Sequence, residues 1–397
     1  MRRVLGDLPS EVPALALVAF AVAIGFGIVS PVIPLFAQEF GVGATAAGAV
    51  VSAFAFMRLV SALGGGRLVD MFGERLVLAA GLVVVAVSSL LAGLARSYEQ
   101  LLVLRGVGGV GSAMFSVSAV SLLLRVVRPD QRGRATSLWQ GGFLVGGLAG
   151  PAVGGVLAEV SLRAPFFIYA ATLAVATVLT VVALSGTRLG EAEARKAPET
   201  RMPLGRALRL PAYRAALVTN LGTGWALFGV RSAVIPLFVA DALGMSPLWV
   251  GIGFLVGSLA QAATLWPAAQ VVDKVGRKPA MVAGATVGTL AVVLLAVWEN
   301  LPVFLVAMAG YGIGAAFLGS APAAVVGDIV QGRGGTVVAA FQMASDLGVV
   351  AGPLVAGWLI DGFSFGAAFW TTSLVLVAGL VLSARMPDVR AATVRPT

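Results

Sequence analysis

The stretch GGLAGPAVGG, residues Gly146–Gly155, decides the fold because a close copy, GVVAGPLVAG, follows 202 residues later as Gly348–Gly357. A second pair of segments shares this offset, since Ser30–Phe36 reads SPVIPLF and Ser232–Phe238 reads SAVIPLF. Chance does not readily give one offset to segments this far apart. The chain is therefore predicted to consist of two homologous halves.

The composition places the chain in a membrane. Hydrophobic residues make up 59% of its 397 residues and charged residues only 11%, and the mean hydropathy is +0.98. Soluble domains average about 25% charged residues. Within hydrocarbon, backbone polar groups need internal partners, and continuous apolar runs of about 20 residues indicate helices instead of barrel strands. The predicted fold is all-α with twelve spans, at residues 12–37, 46–66, 76–95, 101–124, 135–158, 165–184, 215–240, 247–270, 279–297, 302–328, 336–360 and 365–385.

A polar stretch divides the chain into three predicted parts. Residues 1–184 form an N-terminal six-helix half, residues 185–214 a cytoplasmic linker, and residues 215–397 a C-terminal six-helix half. Two homologous membrane halves predict a transporter whose central cavity opens alternately to the two sides of the membrane.

The basic residues predict the topology. If the N-terminus is cytoplasmic, most of the 27 Lys and Arg residues lie in cytoplasmic segments; the exceptions are Arg96 and Arg163 in outer loops and Arg58, Arg105 and Arg231 within spans. Because basic loops stay on the cytoplasmic side, we expect a multi-pass protein of the inner or plasma membrane with both termini in the cytoplasm. The net charge of +9 thus reflects topology and does not indicate nucleic-acid binding.

The loops after the second and eighth spans share one pattern. Gly66–Arg75 reads GRLVDMFGER and Ala269–Lys278 reads AQVVDKVGRK. Both resemble the loop Gly-x-x-x-Asp-Arg-x-Gly-Arg-Lys of the major facilitator superfamily, although Met71 and Glu74 stand where that family has basic residues. The resemblance implies a major facilitator fold of twelve helices in two pseudo-symmetric halves.

In that family the loop latches the cytoplasmic side shut, so the resemblance implies a conformational latch. Its members here would be Asp70, Arg75, Asp273 and Arg277. The glycines Gly73 and Gly276 are expected to permit the tight turns. The alternative is a topology anchor, in which basic side chains extend to the membrane surface beside an acid that neutralises them.

The fourth span contains RGVGGVGSA at Arg105–Ala113. This resembles the family's fourth-helix motif Arg-x-x-Gln-Gly-x-Gly-x-Ala, with Gly108 in place of the Gln, and implies that Arg105 takes part in proton-coupled transport. The alternative is that Arg105, near the outer end of its span, extends to the outer membrane surface.

The repeated glycine–proline stretch is similar to the fifth-helix motif of the family's drug:proton antiporter branch, which implies an exporter. Its residues are Gly146, Gly150, Pro151, Gly154 and Gly155. Glycines spaced by four lie on one helical face and let another helix approach closely. Simple close packing would explain them equally well.

Asp346, about ten residues into the eleventh span, is the first candidate for proton binding, with Arg58 and Arg105 tuning or replacing it. Ionisable groups at that depth are functional candidates. The alternative is a static buried Asp–Arg pair that holds the halves together. Aromatic, amide and basic side chains are expected to line the substrate cavity: Phe54, Trp139, Gln140, Phe143, Trp225, Phe228, Arg231, Phe317, Phe341 and Gln342. For any one aromatic residue, helix packing or lipid contact is the alternative.

The function predicted from these features is proton-coupled export of lipophilic or amphipathic small molecules. The chain has no nucleotide-binding loop, no zinc motif, no cysteine and no histidine, so we expect no enzyme, no metal and no cofactor beyond a proton gradient. The expected partners are a small-molecule substrate, protons and the bilayer, with no nucleic acid and with the monomer as the working unit. Two alternatives stay open: an exporter or uniporter of a sugar, amino acid or lysolipid, and a non-transporting membrane sensor on the same fold.

Overall fold

The computed structural model describes residues 8–128, 131–184, 202–330 and 335–387. Within these residues the fold is all-α, and twelve helices are long and apolar enough to cross a membrane, which confirms the predicted number. In chain order they are α1 (Glu11–Val29), α2 (Ala44–Phe72), α3 (Glu74–Gly93), α4 (Tyr98–Val126), α5 (Arg132–Val160), α6 (Ala164–Leu184), α7 (Pro211–Ala242), α8 (Pro247–Gln270), α9 (Arg277–Val297), α10 (Leu301–Val330), α11 (Gly335–Gly362) and α12 (Phe365–Arg385).

Several helices differ in length from the predicted spans. α1 ends at Val29, and a short helix, Ile33–Gln38, completes the first predicted span. The interruption falls at Pro31, because proline lacks a backbone N–H and disfavours helical geometry in the preceding residue. In contrast, α2 continues six residues past its predicted end at residue 66, since a helix can extend beyond the apolar stretch that hydropathy detects.

Two spanning helices contain or adjoin π-helical turns. In α7 these turns are Gly224–Val230 and Phe238–Ala242, and α8 continues into a third at Val271–Val275. Such turns are rare and often occur at functional sites. In the predicted linker, residues 185–201 lie outside the described residues, and the described part contains a short helix, Leu204–Ala207.

The chain forms two compact units. The first comprises Met1–Val42 and Ala53–Lys196, and the second comprises Gly43–Ser52 and Ala197–Thr397. The first residues of α2 therefore cluster with the second unit, while the rest of that helix belongs to the first.

Helix packing inside the two units follows one scheme. In the first unit α1 packs on α5 and α6, and α3 packs on α4 and α6. In the second unit α7 packs on α11 and α12, and α9 packs on α10 and α12. These are equivalent helices of the two repeats, so the packing is pseudo-symmetric.

Glycines of α5 form a stripe that lies directly on the backbone of α1. An ideal β-carbon at Gly146 would lie 2.6 Å from the carbonyl oxygen of Phe20, and one at Gly150 would lie 2.6 Å from that of Ile24. Such approach is open only to residues without a side chain. The contacts of the stripe, in order, are Gly142 with Ala16, Gly146 with Phe20, Gly150 with Ile24, and Gly154 with Ile28. Both partners advance by four residues, so the two helices stay in register for three turns.

The second repeat uses the same device, with a looser fit at Gly352 only. In α11, Gly348 lies against the carbonyl oxygen of Leu221, and a β-carbon at Gly352 would lie 2.9 Å from that of Trp225. Both α5 and α11 remain helical through their internal prolines, Pro151 and Pro353. The repeated motif thus holds α5 on α1 and α11 on α7.

Glycine is required at the turns that follow α2 and α8. Gly73 has φ 80° and Gly276 has φ 138°, values that residues with a β-carbon rarely adopt. The prediction of tight glycine turns at these two places is confirmed.

Candidate functional site

An ion pair lies at the α2–α3 turn of the first unit. Nη1 of Arg125, in the last turn of α4, is 3.0 Å and 2.9 Å from the two carboxylate oxygens of Glu74, the first residue of α3. The Ser121 hydroxyl donates to the same carboxylate at 3.3 Å. The Glu74 side chain is only 7% exposed, so a nearly buried carboxylate depends on this arginine. Sequence reasoning had treated Glu74 only as a departure from the loop pattern.

A second ion pair lies at the α8–α9 turn of the second unit. Nε of Arg277 donates to Asp328 of α10 at 2.9 Å, and its Nη1 donates to the Val272 carbonyl oxygen at 2.9 Å. Asp273 is more distant, at 4.0 Å from Nη1, and its side chain is 76% exposed. Of the predicted latch residues, Asp273 and Arg277 are therefore neighbours, but Asp328 is the closer acid.

The other two predicted latch residues lie in the first unit. Asp70 is exposed near the end of α2, and Arg75 is partly buried at the start of α3. Their role in closing the transporter stays a prediction.

Arg105 is buried inside the first unit. It is 3% exposed, and its guanidinium lies over the ring of Phe54 from α2, with the guanidinium carbon 4.5 Å from the ring centroid. Tyr169 of α6, which is 2% exposed, interacts with it electrostatically. Among the described residues Arg105 has no ion-paired carboxylate, and its Nε has no hydrogen-bond partner. The buried side chain of Arg105 does not extend to the outer membrane surface, so that alternative is wrong.

Arg231 has a similar environment in the second unit. Its guanidinium carbon lies 4.6 Å from the ring centroid of Phe254 in α8, and its Nη2 donates weakly to the Phe254 carbonyl oxygen at 3.4 Å. Tyr311 of α10 interacts with it electrostatically and is 1% exposed. Within the described chain, neither Nε of Arg231 nor the hydroxyl of Tyr311 has a hydrogen-bond partner.

Sequence reasoning missed Phe254 and the two tyrosines beside these arginines. The chain has four tyrosines, and two of them, Tyr169 and Tyr311, accompany an arginine within a span. That rarity was the available signal, but no spacing in the sequence joins the residues.

Asp346 is partly buried in α11. The first π-helical turn of α7 packs on α11 at the residues beside it. The Ser345 carbonyl oxygen contacts Gly224, the first residue of that turn. Gly348, two residues after Asp346, would place a β-carbon 2.5 Å from the Trp225 backbone nitrogen. Asp346 belongs to the second unit and Arg58, which is partly buried in α2, to the first. Their pairing stays a prediction.

The predicted cavity residues divide between the units. In the first, the rings of Trp139 and Phe143 meet edge to face at 4.9 Å, and Gln140 is exposed. In the second, Trp225 donates to Thr372 at 3.2 Å, and Phe228 is 58% exposed. Three further residues of the second unit are Phe317, which is partly buried, Phe341, which is buried in an apolar cluster, and Gln342, which is exposed. Phe54 is buried beneath Arg105.

Asp361 at the end of α11 was also missed. Its carboxylate accepts hydrogen bonds from the backbone N–H groups of Ala44 and Thr45 at 2.7 Å and 2.9 Å, and from the Thr45 hydroxyl at 2.6 Å. It therefore caps the start of α2, where exposed N–H groups attract an anion. This cap explains why Gly43–Ser52 clusters with the second unit.

Comparisons with known proteins agree with this architecture. Residues 15–231 and 221–396 match the family model of the Major Facilitator Superfamily. Multidrug resistance protein 1 of Bacillus subtilis (strain 168) is 25% identical over 378 residues, which cover 92% of this chain and 93% of that protein. The quinolone resistance protein NorA of Staphylococcus aureus (strain MSSA476) is 24% identical over 246 residues, covering 60% and 61%.

Solved structures share the fold at lower identity. A bacterial homolog of the human lysosomal transporter Spinster, in an inward-facing conformation, has a TM-score of 0.75 at 16% identity and covers 94% of this chain and 96% of its own. The peptide transporter POT has a TM-score of 0.76 at 16% identity, with coverages of 95% and 94%. These two structures support the fold alone.

Proposed function

The chain belongs to the major facilitator superfamily and is a membrane transporter, and on this premise we propose that it exports lipophilic or amphipathic small molecules in exchange for protons. The observation that carries the proposal is the similarity to a multidrug resistance protein over 92% of the chain. The glycine–proline stripe of α5 supports the same direction of transport, because the family's exporters are marked by it. The two repeats would move by alternating access.

The side chains offered by each unit suit an apolar cargo. The predicted cavity positions are mostly aromatic, with two amides and one arginine among them. Pockets with apolar walls and few polar groups favour amphipathic ligands. A sugar transporter would be expected to offer more amide and acidic side chains.

Asp346 is the proposed proton carrier. A carboxylate within a span is energetically costly, which makes it a candidate for function. Asp346 lies where a π-helical turn of α7 packs on α11. Desolvation favours the protonated form of a carboxyl group, and access to water or a nearby cation favours the ionised form. A carboxylate that alternates between such environments would load and release a proton.

Export of ethidium by purified protein in proteoliposomes tests the proposal. Wild-type protein is expected to move the dye when a pH gradient is imposed, and Asp346→Asn is expected to abolish that movement. The matched control is Asp241→Asn, which removes an exposed carboxylate from α7 and should leave export unchanged. The elution profile of each variant on size-exclusion chromatography checks that it is folded.

Full pH-driven export by Asp346→Asn would remove Asp346 from the proposal. If wild-type protein moves the dye equally with and without the pH gradient, the transport is uniport instead of proton exchange. No movement of any lipophilic dye would favour the sugar, amino acid or lysolipid alternative, or a sensor.

The loop residues Asp70, Arg75, Asp273 and Arg277 would form the latch that closes the cytoplasmic side. Both termini would be cytoplasmic, as the placement of basic residues suggests. The monomer would suffice as the working unit, because one chain contains both repeats.

A further inference from the structure

We propose that Arg231 and Tyr311 form an anion-binding site in the second unit, which takes the carboxylate of an amphipathic substrate. This inference rests on the proposed export function and adds to its cargo a class of molecules that carry an acidic head on an apolar body. Lipophilic cations would not use this site.

The charge of Arg231 lies within a membrane-spanning helix. Within the described residues no carboxylate forms an ion pair with it, and its only hydrogen bond is a weak one to a backbone carbonyl. A cation inside a span is costly, and a buried charge is ordinarily paired. A cation–π contact with Phe254 supplies part of the compensation, but it uses the face of the guanidinium and leaves the N–H donors at its edge.

Hydrogen-bond donors without partners lie close together at Arg231 and Tyr311. Nε of Arg231 is buried without a hydrogen-bond partner, and so is the hydroxyl of Tyr311, which lies close enough to interact electrostatically. A buried polar group without a partner is rare in native proteins and calls for an explanation. A planar carboxylate accepts from a guanidinium fork and from a phenol at once, so a single ligand would satisfy both groups.

Part of Arg231 can be reached from outside the packed helices. Arg231 is partly exposed although its Nε is buried. Gly257 of α8 lies beside the guanidinium: an added β-carbon would lie 3.5 Å from Nη2 and 2.9 Å from the Met308 carbonyl oxygen, so a larger residue there would crowd Arg231. Phe228, which is 58% exposed and one turn before Arg231, offers an apolar surface for the body of the ligand.

The equivalent positions of the first repeat lack both side chains. The offset of 202 residues aligns Arg231 with Val29. In the α4–α10 pair, Gly312 and Gly314 align with Gly109 and Gly111 at an offset of 203, which aligns Tyr311 with Gly108. The Arg231–Tyr311 pair is therefore not repeated at the equivalent positions of the first half, as a contact of the shared scaffold would be.

Arg163 shows what a structural arginine looks like in the same chain. Its guanidinium carbon also lies over an aromatic ring, 4.9 Å from the centroid of Phe36. Its Nη1, however, donates to the carbonyl oxygens of Gly93 and Ala95, both at 3.0 Å. Arg163 thus has stacking and good hydrogen bonds, whereas Arg231 has stacking and donors left over.

The test is a binding measurement on purified protein in nanodiscs of neutral lipid. The probes are pyrenebutanoate and pyrenebutyl-trimethylammonium, which share one fluorescent apolar body and differ in the sign of the head group. Energy transfer from tryptophan to pyrene reports binding. Losing the charge-assisted hydrogen bonds in Arg231→Gln should weaken pyrenebutanoate binding about tenfold. Affinity for the cationic probe should change less than about twofold, because that probe makes no contact with the anion site.

Three further variants keep the result interpretable. Tyr311→Phe should weaken the anionic probe about threefold, since it removes one neutral hydrogen bond. Arg231→Lys should retain most of the affinity for the anion, because it keeps the charge while losing the planar fork. Arg163→Gln, the matched control, should bind both probes as wild type does.

Wild-type affinity for pyrenebutanoate in both Arg231→Gln and Tyr311→Phe would overturn the site. Equal weakening by Arg231→Gln and Arg163→Gln would also overturn it, because general charge would then explain the binding. The ethidium assay is independent of these measurements. If Arg231 binds the anion but the protein exports nothing, the anion site stands and the export proposal is wrong. If the protein exports ethidium but Arg231→Gln and Tyr311→Phe keep wild-type affinity for pyrenebutanoate, the export proposal stands and the anion site is wrong.

Discussion

The α2–α3 turn and the α8–α9 turn hold the same ion pair with opposite polarity. In the first unit the acid, Glu74, begins α3 and the base, Arg125, ends α4; in the second the base, Arg277, begins α9 and the acid, Asp328, lies near the end of α10. The partners are 51 residues apart in both cases. Coulomb attraction does not depend on which helix carries which charge. Duplication therefore kept the tie between the two helices but not its sign.

The helix dipoles make the two pairs unequal. A helix N-terminus favours an anion and a C-terminus favours a cation. Glu74 and Arg125 satisfy both preferences, whereas Arg277 and Asp328 violate both. Arg277 compensates with a hydrogen bond to the Val272 carbonyl oxygen and with Asp273 at 4.0 Å. The helix dipoles thus stabilise the Glu74–Arg125 pair and weaken the Arg277–Asp328 pair.

The largest effect is expected from Arg125→Leu, which leaves the nearly buried Glu74 carboxylate without its cation. Removing one partner of a buried pair costs about 3 kcal/mol or more, and the midpoint of thermal unfolding in detergent should fall accordingly. The swapped variant Glu74→Arg with Arg125→Asp reproduces the polarity of the second unit. It should recover part of the loss that Glu74→Arg alone causes. No recovery would break the view that the two pairs are equivalent ties.

A smaller effect is expected from Gly150→Ala, which tests the part of the scaffold that the repeats share. The new methyl group would meet the α1 backbone, and overpacking of this kind costs about 2 kcal/mol. Gly352→Ala should cost less, because its β-carbon would lie 2.9 Å from the nearest atom instead of 2.6 Å. Gly147→Ala is the matched control, since no atom lies within 4 Å of its β-carbon position. Because alanine favours a helix more than glycine does, Gly147→Ala should not lose stability, and an equal loss in Gly147→Ala and Gly150→Ala would show that the α1–α5 contact does not decide stability.

The smallest effects are expected in the second ion pair. Asp328→Asn should cost about 1 kcal/mol, because Arg277 keeps its carbonyl partner and the dipoles no longer oppose an anion. Asp273→Asn should cost less than about 0.5 kcal/mol, as an exposed and distant acid contributes little. Thermal unfolding at low and high salt measures both variants, with salt weakening the wild-type pair. A cost for Asp328→Asn as large as that for Arg125→Leu would contradict the unequal ties inferred from the dipoles.

Most of the fold was predictable because it follows from chain-local properties. Continuous apolar runs gave twelve helices, and the shared offset gave two repeats with equivalent packing. The ends of the helices were less predictable, since α2 runs past the polar boundary that hydropathy detects. Pro31 ended α1 sooner than the continuous apolar run suggested.

The candidate site was predictable only in part. Arg105, Arg231 and Asp346 were singled out because charge within an apolar run is costly wherever it lies. Their surroundings were not, since Tyr169 and Tyr311 reach the arginines from other helices. Glu74 likewise stands in the sequence only as a departure from the loop pattern, and nothing there joins it to Arg125, which the fold places 2.9 Å away.

The sequence by itself determined that this protein is a duplicated twelve-helix membrane protein, because hydropathy and repeat offset act along the chain and survive in one dimension. Only the tertiary structure decided which helix faces meet. It assigned Asp361 to the start of α2, Glu74 to Arg125 and Tyr311 to Arg231. A helix can turn any face toward its neighbour without changing its sequence pattern, so the partners of a buried charge are set by rotation and register. Those are fixed where glycine stripes let the backbones touch.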